Sequence, residues 1–358
     1  MRASLVVVGV LAVWISSGCS ERAAGSPDEE VRGSDGDGSS ADGDGDGSSG
    51  DAGPREDGGL PPDRGCSGGA AFDLGALQAT VQYLASDELG GRAPGTPGDL
   101  AARAYIEERF HCLGLNSAGS DGSFQQPFVT SSGQDTANVV GWLPGIDPSV
   151  GSEIVLVGAH HDHLGASGGQ IFSGANDNAS GVAAMLAMAH AFVQRGAATR
   201  RTVAFVAFGY EEHDGECEGS EHYVAHPPAA LPMDRVVYMV DTDMVGVYPI
   251  EESLTAYGSF SGTSGRALLE ELAGGHPGLN LALDLAADED ASDFQAFCDV
   301  GIPYVYFETW DEPCWHKPCD KADRIDYPSL GEVATLAFEL TLGLADTEAQ
   351  LTGSCAPR

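Results

Sequence analysis

Residues 154–181 read IVLVGAHHDHLGASGGQIFSGANDNASG, and the fold turns on how this stretch is read. Ile154 to Val157 is a short apolar run rich in β-branched residues, closed by Gly158. That composition and length predict a strand buried on both faces. His160, His161, Asp162 and His163 follow at its C-terminal end. A glycine-rich loop leads to Asp177, and a helix is expected to begin near Ser180. In open α/β sheets ligands bind beyond the carboxyl ends of the strands. A His-x-Asp pair at such an end suits a metal, the His as ligand and the Asp as the group that orients a ligand or a base.

Working outward, the same grammar repeats. Thr202 to Phe208 (TVAFVAF) is a second buried strand that runs out into Gly209, Tyr210, Glu211 and Glu212. Val236 to Val240 is a third, followed by Asp241, Thr242 and Asp243. Ile302 to Phe307 is a fourth, ahead of a loop that carries His316. Between them, Val182, Met185, Leu186, Ala189 and Phe192 form a helical stripe that reads as core packing. Upstream, Leu74, Leu77, Val81 and Leu84 repeat at helical spacing. Thr96, Pro97 and Asp99 are the cap, first position and capping-box acid of a second helix, which Gly114 stops. Short strands are expected at residues 124–130 and 138–143, and Ser329 with Glu332 as the capping box of a last helix reaching about Gly343. Strands alternating with helices predict a single α/β domain whose central sheet is mixed, largely parallel and flanked by helices.

Three strands therefore end in acids or histidine. Carboxylates gathered in one place repel one another and are costly to bury. Divalent cations remove that cost, and His nitrogen with carboxylate oxygen is an ordinary zinc ligand set.

The ends of the chain carry other signals. Arg2 precedes an apolar run from Leu5 to Ile15, too short to span a bilayer and of the length of a secretory signal core. Ser16, Ser17, Gly18 and Cys19 resemble a bacterial lipoprotein cleavage site, with Ser16 where an aliphatic residue is usual. Residues 1–19 are thus expected to be a signal peptide ending at a lipid-bearing Cys19, with plain secretion as the alternative. Residues 20–64 are almost devoid of apolar side chains and include SDGDGSSADGDGDGSSGD. Such a tract cannot offset its ordering entropy and reads as a flexible acidic linker. Its Asp-Gly repeats lack the EF-hand spacing. Residues 65–358 are left as the catalytic domain. The apolar content of 42% is that of a globular protein, and a formal charge of -37 argues against binding nucleic acid through phosphates. The cysteines fit an exported protein; without Cys19 seven remain, an odd number. Cys314 and Cys319 bracket His316, and a disulfide there would stiffen that loop.

Six segments occur in a telling order: GAHHDH (158–163), GANDNASG (174–181), FGYEE (208–212), DTDMVG (241–246), SDF (292–294) followed by GIP (301–303), and WHKPCDKADRID (315–326). Together with LGGRAPGTPGD and NVVG upstream they resemble the co-catalytic di-zinc aminopeptidases of peptidase clan MH, the group of bacterial leucyl-type aminopeptidases. The resemblance covers roughly Leu74 to Leu342. It implies a zinc-dependent exopeptidase with two zinc ions per chain. His160 and Asp243 would hold one, Glu212 and His316 the other, and Asp177 would bridge them. Asp162 would hold or orient the site from behind His160, and Glu211 would be the general base that takes a proton from the metal-bridging water. His161 and His163 are read as packing or supporting residues; Asp241 and His222 receive no role. Trp315 stands where many relatives have Tyr, so oxyanion stabilisation and substrate fit differ here. The implied partner is a peptide substrate, and the only membrane contact expected is the lipid anchor of an exported, cell-envelope protein. Two rivals share the fold: a glutaminyl cyclase-like transferase with one zinc, and a non-catalytic receptor-like module. The full ligand set and the Glu pair disfavour both.

Overall fold

A computed structural model of the chain describes residues 69–212, 217–248, 253–260, 262–285, 292–310, 313–353 and 355. The expected signal peptide, Cys19 and the acidic linker lie outside the described residues. Among the described residues no helix is long and apolar enough to cross a membrane.

The elements in chain order are α1 (Leu74–Leu84), α2 (Pro97–Leu113), β1 (Asn116–Ser117), β2 (Gln125–Val129), β3 (Asp135–Leu143), β4 (Ile154–His160), β5 (Gly165–Ser167), β6 (Gln170–Phe172), α3 (Gly181–Gln194), β7 (Thr202–Phe208), α4 (Glu218–Ala225), β8 (Val236–Thr242), β9 (Leu254–Tyr257), α5 (Ser264–Leu272), β10 (Leu281–Leu285), α6 (Phe294–Asp299), β11 (Tyr304–Glu308) and α7 (Tyr327–Asp346). The large sheet runs β1-β3-β7-β4-β8-β11-β9-β10, with β2 paired on β3. Its centre, β7-β4-β8-β11, is parallel. The pairs β3 with β7 and β11 with β9 are antiparallel. The sheet is therefore mixed with a parallel heart, as the alternation of elements predicts.

Each parallel strand feeds both faces, which is why its sequence is apolar throughout. Val155, Val157, Val203 and Phe205 face the layer that contains α1, α2, α3 and α7. Ile154, Leu156, Ala204 and Val206 face Tyr223 of α4 and Phe294 and Phe297 of α6. All seven residues of β4 and all seven of β7 are buried. At about 25 cal/mol per Å² of apolar surface, such doubly covered strands dominate the stabilisation of the core. The parallel arrangement also brings the C-terminal ends of β4, β7, β8 and β11 to one edge, so four polar run-outs far apart in sequence meet there.

Local signals explain most boundaries. The Thr96 hydroxyl accepts the Asp99 N–H, Pro97 opens α2, and Gly114 ends it at φ +73°. The Asp99 carboxylate differs from the capping-box expectation: it accepts the Gly95 N–H and pairs with Arg103 at 3.0 Å. The start of α7 also differs. Asp326, not Ser329, is the cap, and it accepts the Ser329 N–H, because Pro328 belongs in the first turn. The stripe on α3 proves broader than predicted: Val182 to Ala189 is buried without a break. The helix threads between the sheet and α1, α2 and α7, so it has almost no solvent face. Its first residue must be glycine, since a Cβ on Gly181 would lie 2.1 Å from the Thr242 carbonyl oxygen.

Candidate metal centre

The first ligand candidate is fixed by the strand that carries it. His160 is the last residue of β4 and is buried. Its Nε2 lies 3.2 Å from Asp243 Oδ1 and 3.4 Å from Asp177 Oδ1. Asp243 directly follows β8, which is the parallel neighbour of β4. On the far side of Asp177, His316 Nε2 lies 3.4 Å from Asp177 Oδ2 and 2.8 Å from Glu212 Oε2. The two oxygens of Asp177 thus face two different pairs of residues, His160 with Asp243 and His316 with Glu212. Zinc bonds of about 2.0–2.2 Å in a tetrahedral arrangement place neighbouring ligand atoms roughly 3.3 Å apart. The observed separations scatter around that value, and Asp177 Oδ2 is buried with no hydrogen-bond partner. Groups within metal-ligating reach include His160 with Asp177 and Asp243, His160 with Glu211 and Glu212, and His163 with Asp177 and Glu212. The histidine and carboxylate donors gathered around Asp177 therefore fit a divalent metal on geometry and donor chemistry.

Asp177 is held in place from behind. Residues 175–180 form one wide turn between β6 and α3. Asp320 accepts the N–H groups of Asn176 and Asp177 at 2.8 and 3.1 Å. Asn178 accepts from Gly181 and donates to the Thr242 carbonyl, which ties the turn to the end of β8. The Asp320 carboxyl is pushed up to about 6 by burial, against the stabilising backbone donors.

The electrostatics are those of acids crowded out of water. Burial, reinforced by the Glu212 and Asp243 carboxylates and opposed by His160, raises Glu211 well above the usual carboxylate range. Burial also acts against Asp177, but the imidazoles of His160 and His316 against it outweigh that and hold the carboxyl well below its ordinary value. Burial disfavours the charged His316, yet Asp177 and Glu212 raise it to about 10. Each of these groups is settled by its neighbours, as expected where charge is dense and water scarce.

Asp162 lies behind His160. Its Oδ1 is 3.8 Å from His160 Nδ1, beyond hydrogen-bond reach. Its two oxygens instead accept the backbone N–H groups of Glu211 and Glu212 at 3.1 and 3.4 Å. Asp162 thereby locks the turn after β7 to the loop after β4. Tyr210, at φ +65°, makes that turn sharp enough to aim both glutamates inward. His163 is brought in too: its Nδ1 is 2.6 Å from Glu212 Oε1, leaving the other oxygen to His316. His161 packs away from the cluster, its Nε2 3.1 Å from the Ala137 carbonyl oxygen. His222 stacks on Phe128.

Three supporting residues had no role in the sequence reading. Ser292 donates to Asp243 Oδ2 at 3.1 Å. Asp241, pushed up to about 7 by burial and by Asp243, accepts the Phe294 N–H. Arg92 is fully buried and donates to the carbonyls of Leu84, His161, Ser173 and Gly174. The quoted SDF, DTD and GGRAP segments held these residues; what was missing was the partner of each. Cys314 and Cys319 do form a disulfide around His316, and Cys298 pairs with Cys355. The odd cysteine expected from the sequence depends on the fate of Cys19, outside the described residues.

Arg92 allows a first prediction. Removing it strands four carbonyls and takes a cation from beside the acids of Asp162, Asp320 and Asp177. Arg92→Ala is expected to lower the unfolding free energy by about 3 kcal/mol or more, measured by denaturant titration. A loss under about 1 kcal/mol would mean that water replaces the guanidinium without penalty.

Comparison with known proteins places this geometry. The model of peptidase family M28 matches residues 138–341. The chain is 26% identical over 275 residues to leupeptin-inactivating enzyme 1 of Streptomyces exfoliatus, covering 70% of this chain and 56% of that protein. It is 30% identical over 196 residues to aminopeptidase YwaD of Bacillus subtilis, covering 51% and 39% respectively. The chain thus spans about half the length of these curated relatives, or less. Its fold is shared with the solved zinc aminopeptidase BSAP of Bacillus subtilis, at a TM-score of 0.61 and 17% identity over 80% of this chain and 98% of that one. It is shared equally with the glutaminyl cyclase of Fimbriiglobus ruber, at a TM-score of 0.60 and 22% identity over 76% and 95%.

Proposed function

We propose, from the premise that this chain belongs to peptidase family M28, that it is a zinc-dependent aminopeptidase, releasing N-terminal residues from peptides. The observation that carries the reading is Asp177, whose two oxygens face His160 with Asp243 on one side and His316 with Glu212 on the other. That is the arrangement a bridging carboxylate requires, and the named relatives include an aminopeptidase.

The residues divide the work as follows. His160 and Asp243 would hold one ion, Glu212 and His316 the second, with Asp177 between them facing both pairs. When bound, the ions would supply Lewis acidity toward the scissile carbonyl and would acidify water at the site. Glu211, 3.8 Å from His160 Nε2 through its Oε2, is the general base that takes the proton from the attacking water and delivers it to the leaving amine. Burial raises its affinity for a proton, the direction a general base of this kind needs. Asp162 keeps Glu211 and Glu212 in register with His160, and Ser292 and His163 fix the carboxylates of Asp243 and Glu212. Trp315 stacks on His316.

An exopeptidase of this polarity should read a free α-amine, which a site rich in carboxylates can hold. Peptides with a free N-terminus are expected to lose their first residue while N-acetylated copies stay intact, with products read by mass. Equal turnover of free and blocked peptides would remove the exopeptidase claim and leave the metal-binding proposal standing.

A further inference from the structure

A half-buried carboxylate beside this centre has no part in the chemistry above. Phe307 of β11 lies in register with Thr242 of β8, so Glu308 stands beside Asp243 on the same face of the sheet. The Asp243 N–H donates to the Phe307 carbonyl at 3.1 Å, which fixes the two chains side by side. Neighbouring strands are about 4.8 Å apart. Glu308 is therefore one strand spacing from a residue assigned to the metals, and it is outside every group within metal-ligating reach among the described residues.

Its surroundings are aromatic. The hydroxyls of Tyr306 and Tyr257 bond to Glu308, and the two rings stack at 5.5 Å. Two residues further on, Trp310 packs against Trp315 at 5.1 Å, and Trp315 stacks on His316 at 4.1 Å. Glu308 thus lies beside Asp243 on one side of the centre, and Trp315, with Trp310 packed on it, lies against His316 on the other. Phenols, not a base, hold this carboxylate. A carboxylate kept this way is costly until a cation meets it. A carboxylate among π-faces is also the chemistry that recognises an ammonium or guanidinium.

We propose that Glu308, with Trp310 and Trp315, forms a subsite that binds a cationic group of the residue being removed. The proposal rests on the aminopeptidase reading and narrows it. The cation has two possible sources, the α-ammonium of any substrate or the side chain of an N-terminal Lys or Arg.

The test compares wild type with Glu308→Gln on p-nitroanilides of norleucine, leucine, lysine and arginine. Zinc content and thermal unfolding are measured beside the kinetics. Loss of a charge-assisted bond is expected to lower kcat/KM by roughly 10- to 100-fold, through KM rather than kcat, with zinc content unchanged. A fall shared equally by all four substrates identifies the α-ammonium. A fall larger for lysine and arginine than for norleucine identifies the side chain. Glu308→Asp, which keeps the charge but shortens its reach, should fall between wild type and Glu308→Gln. Unchanged kcat/KM on all four substrates overturns the proposal, as does a loss that tracks missing zinc or a lost fold in both variants. A wild-type chain that cleaves none of the four sinks the aminopeptidase reading, and the subsite with it.

Discussion

Glu211→Gln is expected to keep about two zinc ions per chain while kcat falls by roughly 10² to 10⁴, the usual worth of a general acid–base group. KM should change little, because the group acts mainly in the transition state. The contrast is with its neighbour. Glu212 lies 2.8 Å from His316 and 2.6 Å from His163, in the position of a ligand. Glu212→Gln removes the charge that holds the second ion, so that ion should be lost or weakened and activity with it, partly recoverable with added zinc. No amount of zinc should recover Glu211→Gln. Elemental analysis beside steady-state kinetics decides the matter. A Glu211→Gln chain that loses an ion, or a Glu212→Gln chain with both ions and full activity, means the two roles are assigned wrongly.

The second large effect is metal removal. Dialysis against a chelator should abolish peptide hydrolysis, and zinc titrated back should restore it with about two ions per chain. It should also lower the unfolding temperature. Asp177, Glu211, Glu212 and Asp243 are then left buried together with the histidines and Arg92 alone near enough to offset them among the described residues. The count matters because the fold alone does not choose between peptidase and cyclase; solved examples of both share it. Full activity after stripping excludes the metal mechanism. Full activity with a single ion, joined to cyclisation of N-terminal glutamine, selects the cyclase reading.

Much of this site is legible in one dimension because parallel strands have a polarity. Once residues 154–160, 202–208 and 236–242 are read as buried parallel strands, their C-terminal run-outs must meet at one sheet edge. The chemistry of His160, Glu211, Glu212 and Asp243 then follows from what lies at each end. Caps were legible for the same reason: Thr96, Pro97 and Gly114 act on atoms within four residues of themselves. Where a local signal had two candidates, as at Ser329 and Asp326, the proline between them decided.

The sequence by itself determined the class of fold, the edge of the sheet where chemistry occurs and the residue types gathered there. Those properties depend on strand burial and chain direction, which composition and periodicity encode. Tertiary structure alone decided who touches whom. Asp162 holds the turn of Glu211 and Glu212, 49 and 50 positions away. Asp320 holds the Asp177 turn from 143 positions away. Arg92 gathers carbonyls from two loops and the end of α1, and Glu308 stands beside Asp243 because β11 pairs in parallel with β8. The physical reason is that a hydrogen bond or a shared face forms at a few ångströms, a distance set by strand register and helix packing. No local pattern of residues records that distance.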